Sequence, residues 1–374
     1  MIDRGVTDTD PIRYGIIGSG MMGVEHIRNI NALPGGEVVA VSDPDEGSRS
    51  VAAKECDADA EVYADHRDLL ESGVCDAVVV ASPNHTHVDV LGDVLSADVH
   101  ALVEKPLCTT VEDCERVIEQ AAGSDRVLQM GLEYRYMPPV ARLVDEVKAG
   151  TLGRVRMVAI REHRFPFLVK VNNWNRFTAN TGGTLVEKCC HFFDLMNLVL
   201  DERPARVQAS GAQDVNHLDE VYDGRTADMM DNAYVIVEYP SGARACLDLC
   251  MFAEATYNQE EVCVVGEAGK AEAFLPEGIL RLGRRGEHWV GRVDTEVVDT
   301  SHVKFEGLHH GSSYLEHVDF LDSIRNGTEP PVTLDDGLWS VAVGVAAHRS
   351  IDEQRPVLLS EILSDATMNQ GVMS

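Results

Sequence analysis

Short apolar runs alternate with helix-like patterns over roughly the first 130 residues. Residues 13–17, 37–42 (EVVAVS), 77–81 (AVVVA), 99–103 and 127–130 read as strands, with 61–63 a shorter one. Residues 24–32, 47–55, 66–72, 88–97 and 111–122 read as the helices between them. Such alternation predicts parallel pairing through right-handed crossovers. The continuous Val/Ala runs suit strands covered on both faces. Beyond about residue 135 the period changes. A helix at 139–148 is closed by Gly150, and period-two stretches follow at 155–161, 207–212, 233–238, 244–249, 261–265 and 270–274. Gly-containing turns at 240–242 and 267–269 join them, which predicts an antiparallel sheet. One long helix is expected at 184–200, and two more at 313–325 and 334–352.

The expected fold class is therefore α/β. A doubly wound parallel sheet occupies 1–134, and an α+β domain with a large antiparallel sheet occupies 135–374. The last helices are free to pack back on the first domain. Length agrees, since 374 residues at about 150 per domain give two domains. A hydrophobic share of 44% excludes wholesale disorder. No apolar run reaches the ~18–20 residues of a membrane span. The opening stretch MIDRGVTDTDPIRYG is acidic and lacks a signal peptide's basic start and apolar core. The expectation is a soluble cytoplasmic protein.

Charge narrows the partners. Lys and Arg together number 32 against 62 acidic residues, a formal charge of −30. Binding nucleic acid means neutralising phosphates with Lys and Arg, so that class is disfavoured. Only 7 of the 32 basic residues are Lys. An acid-rich, Lys-poor surface stays hydrated in concentrated salt, where charge repulsion is screened, and this suggests a halophilic source. The 9 cysteines are scattered and form no CxxC pair. Cys75 in VCDAVVVAS, and Cys246 and Cys250 in ARACLDLCM, read as reduced, buried thiols.

The chemistry begins directly after the first strand, at Gly18-Ser-Gly20-Met21-Met22-Gly23. Gly18 permits a tight turn, Gly20 lets backbone approach a pyrophosphate, and Gly23 allows close helix packing. The helix N-terminus adds oriented N–H donors. Asp43, at the end of the second strand, suits an adenosine ribose diol and would repel a 2′-phosphate, so NAD is favoured over NADP. The third clear strand ends in Ser82-Pro83-Asn84-His85-Thr86-His87, polar groups expected to line the cofactor cleft at the strand ends. Glu104-Lys105-Pro106 follows the next strand, and a Lys there can polarise a substrate oxygen. On the expected helix 184–200, Glu187 and His191 are four apart, on one face, and His191 and Asp194 are three apart. A His beside a carboxylate is a usable general base. Cys189, Cys190 and His191 point about 100° apart on a helix, so no metal is expected. Trp174 and Arg176, in the polar loop VNNWNRFTANTGG, are read as exposed groups able to cover a polyol.

Together these motifs resemble the glucose–fructose oxidoreductase/inositol dehydrogenase family (Gfo/Idh/MocA-like). GIIGSGMMG at 15–23, SDPD at 42–45, ASPNHTHV at 81–88, EKPL at 104–107 and GLEYRYMPPV at 131–140 carry the likeness. GGTLVEKCCHFFDLM at 182–196 and NGTEPPVTLDDGLWSVAVGVAAHRS at 326–350 extend it nearly to the end. The resemblance implies a Rossmann domain followed by an open-faced sheet that packs on another subunit, giving a homodimer or homotetramer. It implies a nicotinamide cofactor and a sugar, cyclitol or related hydroxy substrate. The family's EKP lysine falls on Lys105, its proton-accepting histidine on His191, and its partner acid, usually Asp, on Glu187. Tyr136, Trp174, Arg176, Glu187 and His191 fall to the substrate. Gly18, Gly20, Met21, Met22, Gly23, Asp43, Ser82, Asn84, His87, Glu104 and Lys105 fall to the cofactor. Glu187 could orient His191, contact substrate or pair with Lys188. Two other activities fit the same motifs: an NAD-dependent glycosidase using transient oxidation, and a non-catalytic NAD-binding regulatory protein.

Overall fold

Six strands in the N-terminal part of the chain pair in parallel because each is returned by a crossover helix. They are β1 (Ile12–Ile17), β2 (Gly36–Ser42), β3 (Glu61–Tyr63), β4 (Ala77–Val80), β5 (His100–Glu104) and β6 (Leu128–Gly131). Their order in the sheet is β3-β2-β1-β4-β5-β6. Strand order reverses between β1 and β4, the place where open α/β sheets bind ligands at their carboxyl ends. The crossovers are α1 (Met21–Ala32), α2 (Glu46–Ala52), α3 (His66–Ser72), α4 (His87–Ala97) and α5 (Val111–Ala121). The computed structural model describes residues 10–370, so the first nine residues of the stretch read for a signal peptide lie outside the described residues.

The chain separates into two units. The first comprises the chain through Cys108, Glu112–Glu133 and Ser301–Gly337; the second comprises Thr109–Val111, Tyr134–Thr300 and the chain from Leu338. A cut at 134 was expected, with the last helices free to pack back, and the late segment Ser301–Gly337 belongs to the first unit. The reason is packing: Tyr314, Phe320 and Leu321 sit in one core with Tyr14, Ile27 and Ile30.

The second unit carries helix α6 (Pro138–Lys148) and a large sheet of nine strands. They are β7 (Val155–His163), β8 (Arg206–Ala212), β9 (Asn232–Glu238), β10 (Arg244–Cys250), β11 (Glu260–Gly266), β12 (Gly269–Leu275), β13 (Ile279–Arg284), β14 (Asp294–Val297) and β15 (Val357–Leu358). Their order is β14-β13-β12-β11-β7-β10-β9-β8-β15. The sheet is mostly antiparallel as expected, but β7 and β10 run parallel. Sequence alternation cannot reveal that, because either direction leaves the same side chains facing inward. Edge strand β14 escaped the pattern because all four of its residues are exposed. Val158 and Ile160 of β7, Leu247 of β10 and Val262 of β11 face inward. Met157, Tyr234 and Ile236 face out. Cys246 is on that outer face too, exposed rather than buried as read, and none of the nine cysteines is in a disulfide.

The expected helix 184–200 is two pieces, α7 (Thr184–Glu187) and α8 (Cys190–Leu200). Lys188 and Cys189 interrupt it, and Cys189, at φ −87°, ψ −6°, caps α8 with its carbonyl, which accepts from Phe192 and Phe193.

Candidate active site

In the first unit the turn after β1 is shaped by three glycines with different constraints. Gly18 has φ +90°, and a Cβ there would lie 2.5 Å from the Ser82 nitrogen. A Cβ on Gly23 would lie 2.1 Å from the Gly18 oxygen. Gly20 differs: a Cβ there would meet nothing within 4 Å. The protein's own packing therefore does not demand glycine at 20, which leaves a cradle a Cβ would fill. Gly20 is also the N-cap of α1, with no side-chain cap and no acid in the first turn. Such a helix start offers backbone donors and positive potential to an anion. Met21 beside it is exposed and Met22 half-buried.

Asp43 faces this turn. Its Oδ2 accepts the Ser19 N–H at 2.8 Å and its Oδ1 accepts the Asp45 N–H at 2.8 Å. The Arg49 guanidinium donates to the Asp43 carbonyl at 2.5 Å. The carboxylate is thus fixed beside the glycine turn, in a place suited to a ribose. These residues fit a dinucleotide.

At the end of β4, the Ser82 and Thr86 hydroxyls bond at 2.8 Å, and Asn84 is buried. His87 does not line an open cleft. It is fully buried, with Nδ1 at 2.9 Å from the Pro106 carbonyl and Nε2 at 3.0 Å from the Ser82 carbonyl. It braces the two segments that leave β4 and β5. Burial pushes its pKa down, against those carbonyls. Glu104 is likewise turned inward, accepting from His26 Nε2 at 3.0 Å, while His26 Nδ1 meets His317 Nε2 at 2.8 Å. Burial works to raise the Glu104 carboxyl, but the His26 bond and the Lys105 and His309 charges win and hold it below the usual carboxylate range. Half-buried Lys105 follows, its N–H donating to Glu104 Oε2 at 3.1 Å and its peptide bond to Pro106 cis.

In the second unit His191 opens α8 and is only 2% exposed. Tyr134 lies flat against it, ring centroids 4.1 Å apart and planes within 10°. The Tyr134 hydroxyl accepts from Lys188 Nζ, and Lys188 Nζ pairs with Glu162 Oε1 at 2.9 Å. Glu162 and Glu260 are register partners on β7 and β11, both buried on the inner face. Two carboxylates directly opposite one another repel. Burial and Glu162 push the Glu260 carboxyl up to about 7, with Lys188 pulling the other way. Burial, then Arg164, pushes the Lys188 ammonium down; Glu162 and Glu260 oppose them.

The remaining sequence-derived residues sort as follows. Glu187 is buried at the end of α7, one turn before His191. Lys188 turns to Glu162 and Tyr134 rather than to Glu187. Asp194 accepts both arms of Arg135, at 2.6 and 2.5 Å. Arg176 is not an exposed loop residue: it is 2% exposed and pairs with Glu220 at 2.8 Å. That acid has no counterpart in the local sequence, so Arg176 read as free. Trp174 and Tyr136 are half-buried. Sequence reasoning missed Glu162, Glu260 and Tyr134. The signal was present for Glu162, which continues the inward alternation of Val158 and Ile160. Among the described residues no three His, Cys, Asp or Glu side chains are placed to hold a metal, and no helix is long and apolar enough to cross a membrane.

Two family models cover most of the chain: an oxidoreductase family NAD-binding Rossmann fold over residues 12–132, and the C-terminal alpha/beta domain of the same family over 144–359. Myo-inositol 2-dehydrogenase of Thermotoga maritima is 27% identical over 355 residues, spanning 94% of this chain and all of that protein. Inositol 2-dehydrogenase 1 of Saccharopolyspora erythraea is 28% identical, spanning 92% of this chain and 96% of that protein. Among solved structures, a levoglucosan dehydrogenase in complex with NADH shares the fold, with a TM-score of 0.82 and 18% identity over 94% of this chain and 99% of that one.

Proposed function

The chain belongs to the Gfo/Idh/MocA oxidoreductase family, whose first domain is an NAD-binding Rossmann fold, and from that premise we propose that it oxidises a secondary alcohol of a sugar, cyclitol or related polyol. The observation that carries the reading is a buried imidazole, His191, backed by an aromatic plane and an internal cation, in a chain that also offers an uncapped glycine turn to a dinucleotide. Its relatives named inositol 2-dehydrogenases support the cyclitol class.

The residues divide the work. The turn Gly18–Gly23, with Met21 and Met22, would hold the pyrophosphate, and Asp43 the ribose. Ser82 and Asn84 would lie against the cofactor. His87 and Glu104 would act by keeping that wall in shape. NAD+, when bound, accepts the hydride lost by the alcohol carbon. Lys105 would stabilise the developing alkoxide with its ammonium, and His191 would take the hydroxyl proton. Glu187, Tyr136 and Trp174 are the remaining polyol contacts. Arg176 would act through the loop it anchors on Glu220.

A screen of sugars, cyclitols and sugar acids with NAD+ and NADP+, in high and low salt, tests the reading by absorbance of the reduced cofactor. Lys105→Ala and His191→Ala should each lower turnover on the order of 10²–10⁴-fold while NAD+ still binds. Near-normal turnover in both would refute the assignment. The same premise supports three broader proposals. Asp43 should make NAD+ preferred over NADP+. The acidic, Lys-poor composition supports a halophilic, cytoplasmic protein with reduced thiols, to be checked by unfolding on desalting. The exposed face around Tyr234 and Ile236 supports a homodimer or homotetramer formed through the large sheet, to be checked by light scattering.

A further inference from the structure

The buried charges behind His191 have no place in the proton transfer just described. Glu162 and Glu260 face each other across β7 and β11, and one oxygen of each, Oε2, has no hydrogen-bond partner. Between them and the imidazole lie two groups, Lys188 and Tyr134. The Lys188 ammonium is 2.9 Å from Glu162 Oε1 and 4.7 Å from the centre of the Tyr134 ring, and it donates to the Tyr134 hydroxyl. The same hydroxyl is 3.4 Å from Glu260 Oε1. The Tyr134 ring carries His191 face to face.

We propose that Lys188 is a positioning residue for His191: anchored on Glu162, it holds Tyr134 by its hydroxyl, and the held ring fixes the plane of the imidazole and presents it with a nearby cation. Three observations support this. An ammonium inside a protein is costly to bury, so one retained at 5% exposure needs partners, and it has them in Glu162 and Tyr134. The break between α7 and α8 falls at Lys188, so the chain departs from regular helix at the residue that must reach Glu162. Finally, an aromatic plane within 10° of the imidazole restricts rotation about its χ2, a torsion that is otherwise broad.

The electrostatic consequence has a sign. A cation near an imidazole disfavours the imidazolium and keeps the ring in the form that can accept a proton. The other charges on this face are Glu162 from β7, Arg164 just beyond it, and Glu260 from β11. Along the chain near His191 are Glu187 at the end of α7 and Asp194 within α8, the latter tied to Arg135.

The inference rests on His191 being the base, and its test does not depend on turnover. Histidine ¹³Cε1 NMR titration of the full chain follows His191, its peak assigned by loss in His191→Asn. Tyr134→Phe removes one oxygen and releases Lys188 toward Glu162. Lys188→Met with Glu162→Gln removes the cation without leaving its carboxylate charged. Both should raise the His191 midpoint by about half to one pH unit and broaden its peak as the ring gains freedom. An unmoved midpoint in Tyr134→Phe overturns the inference even if the double variant does not fold. Retained turnover in His191→Ala, with the midpoint still moving, would instead sink the catalytic reading and leave the coupling standing.

Discussion

Glu260→Gln should make the protein more stable at pH 8 and change it little at pH 5. Glu260 is buried opposite Glu162, and its carboxyl is raised from 4.5 to about 7. The folded chain therefore binds this proton more tightly than the unfolded chain does. Its contribution is fully present below the unfolded value and is lost as pH rises through about 7. At about 1.4 kcal/mol for each tenfold change in proton affinity, the full difference is roughly 3 kcal/mol. Lys188 loses a carboxylate partner in the variant, so a net gain of about 1–3 kcal/mol at pH 8 is expected. For a chain of this size that is roughly 1–4 °C in Tm. Scanning calorimetry of both proteins from pH 5 to pH 8 is the assay. The quantity to plot is Tm of the variant minus Tm of the wild type. A difference that stays flat with pH would show that Glu260 ionises normally in the folded state and would refute the reasoning.

Other outcomes follow from the same geometry. Gly20→Ala should fold normally yet bind NAD+ more weakly, because its Cβ meets nothing in the protein; Gly23→Ala should lower Tm outright, because its Cβ falls 2.1 Å from a carbonyl oxygen. Calorimetry and NAD+ titration by fluorescence separate the two, and equal stability loss in both would contradict the division. His348 accepts from the Leu185 N–H at 3.1 Å, and burial holds it down at about 4. The unfolded chain binds that proton first, so stability should fall as pH drops from about 6.5 toward 4. His348→Gln should flatten that part of the acid limb in a Tm–pH plot, and an unchanged slope would assign the acid sensitivity elsewhere. Glu316 is buried, and its carboxyl is raised by burial, then by Glu133 and Glu104. Glu316→Gln should therefore raise Tm more at pH 8 than at pH 5; a loss at both would mean the carboxyl is a needed hydrogen-bond partner.

Local pattern alone determined a great deal here. Strand–helix alternation gave the parallel sheet, since a fully apolar strand needs cover on both faces and a crossover helix provides it. The glycine spacing after β1 marked the dinucleotide turn, because only glycine tolerates the φ of residue 18 and the approach of residue 23 to residue 18. Lys105 and His191 stood out because their motifs are contiguous in the chain. What tertiary structure decided was every matter set by a partner distant in sequence. A continuous apolar pattern over 184–200 reads as one helix, yet it breaks where Lys188 meets Glu162, 26 positions earlier. Arg176 read as a free loop cation until Glu220 supplied its counter-ion, and Arg135, 59 positions away, supplies one for Asp194. The parallel β7–β10 pair was invisible for the same reason. Periodicity records which way a side chain points. It carries no information about which distant charge or strand it will meet there, and burial makes those meetings energetically decisive.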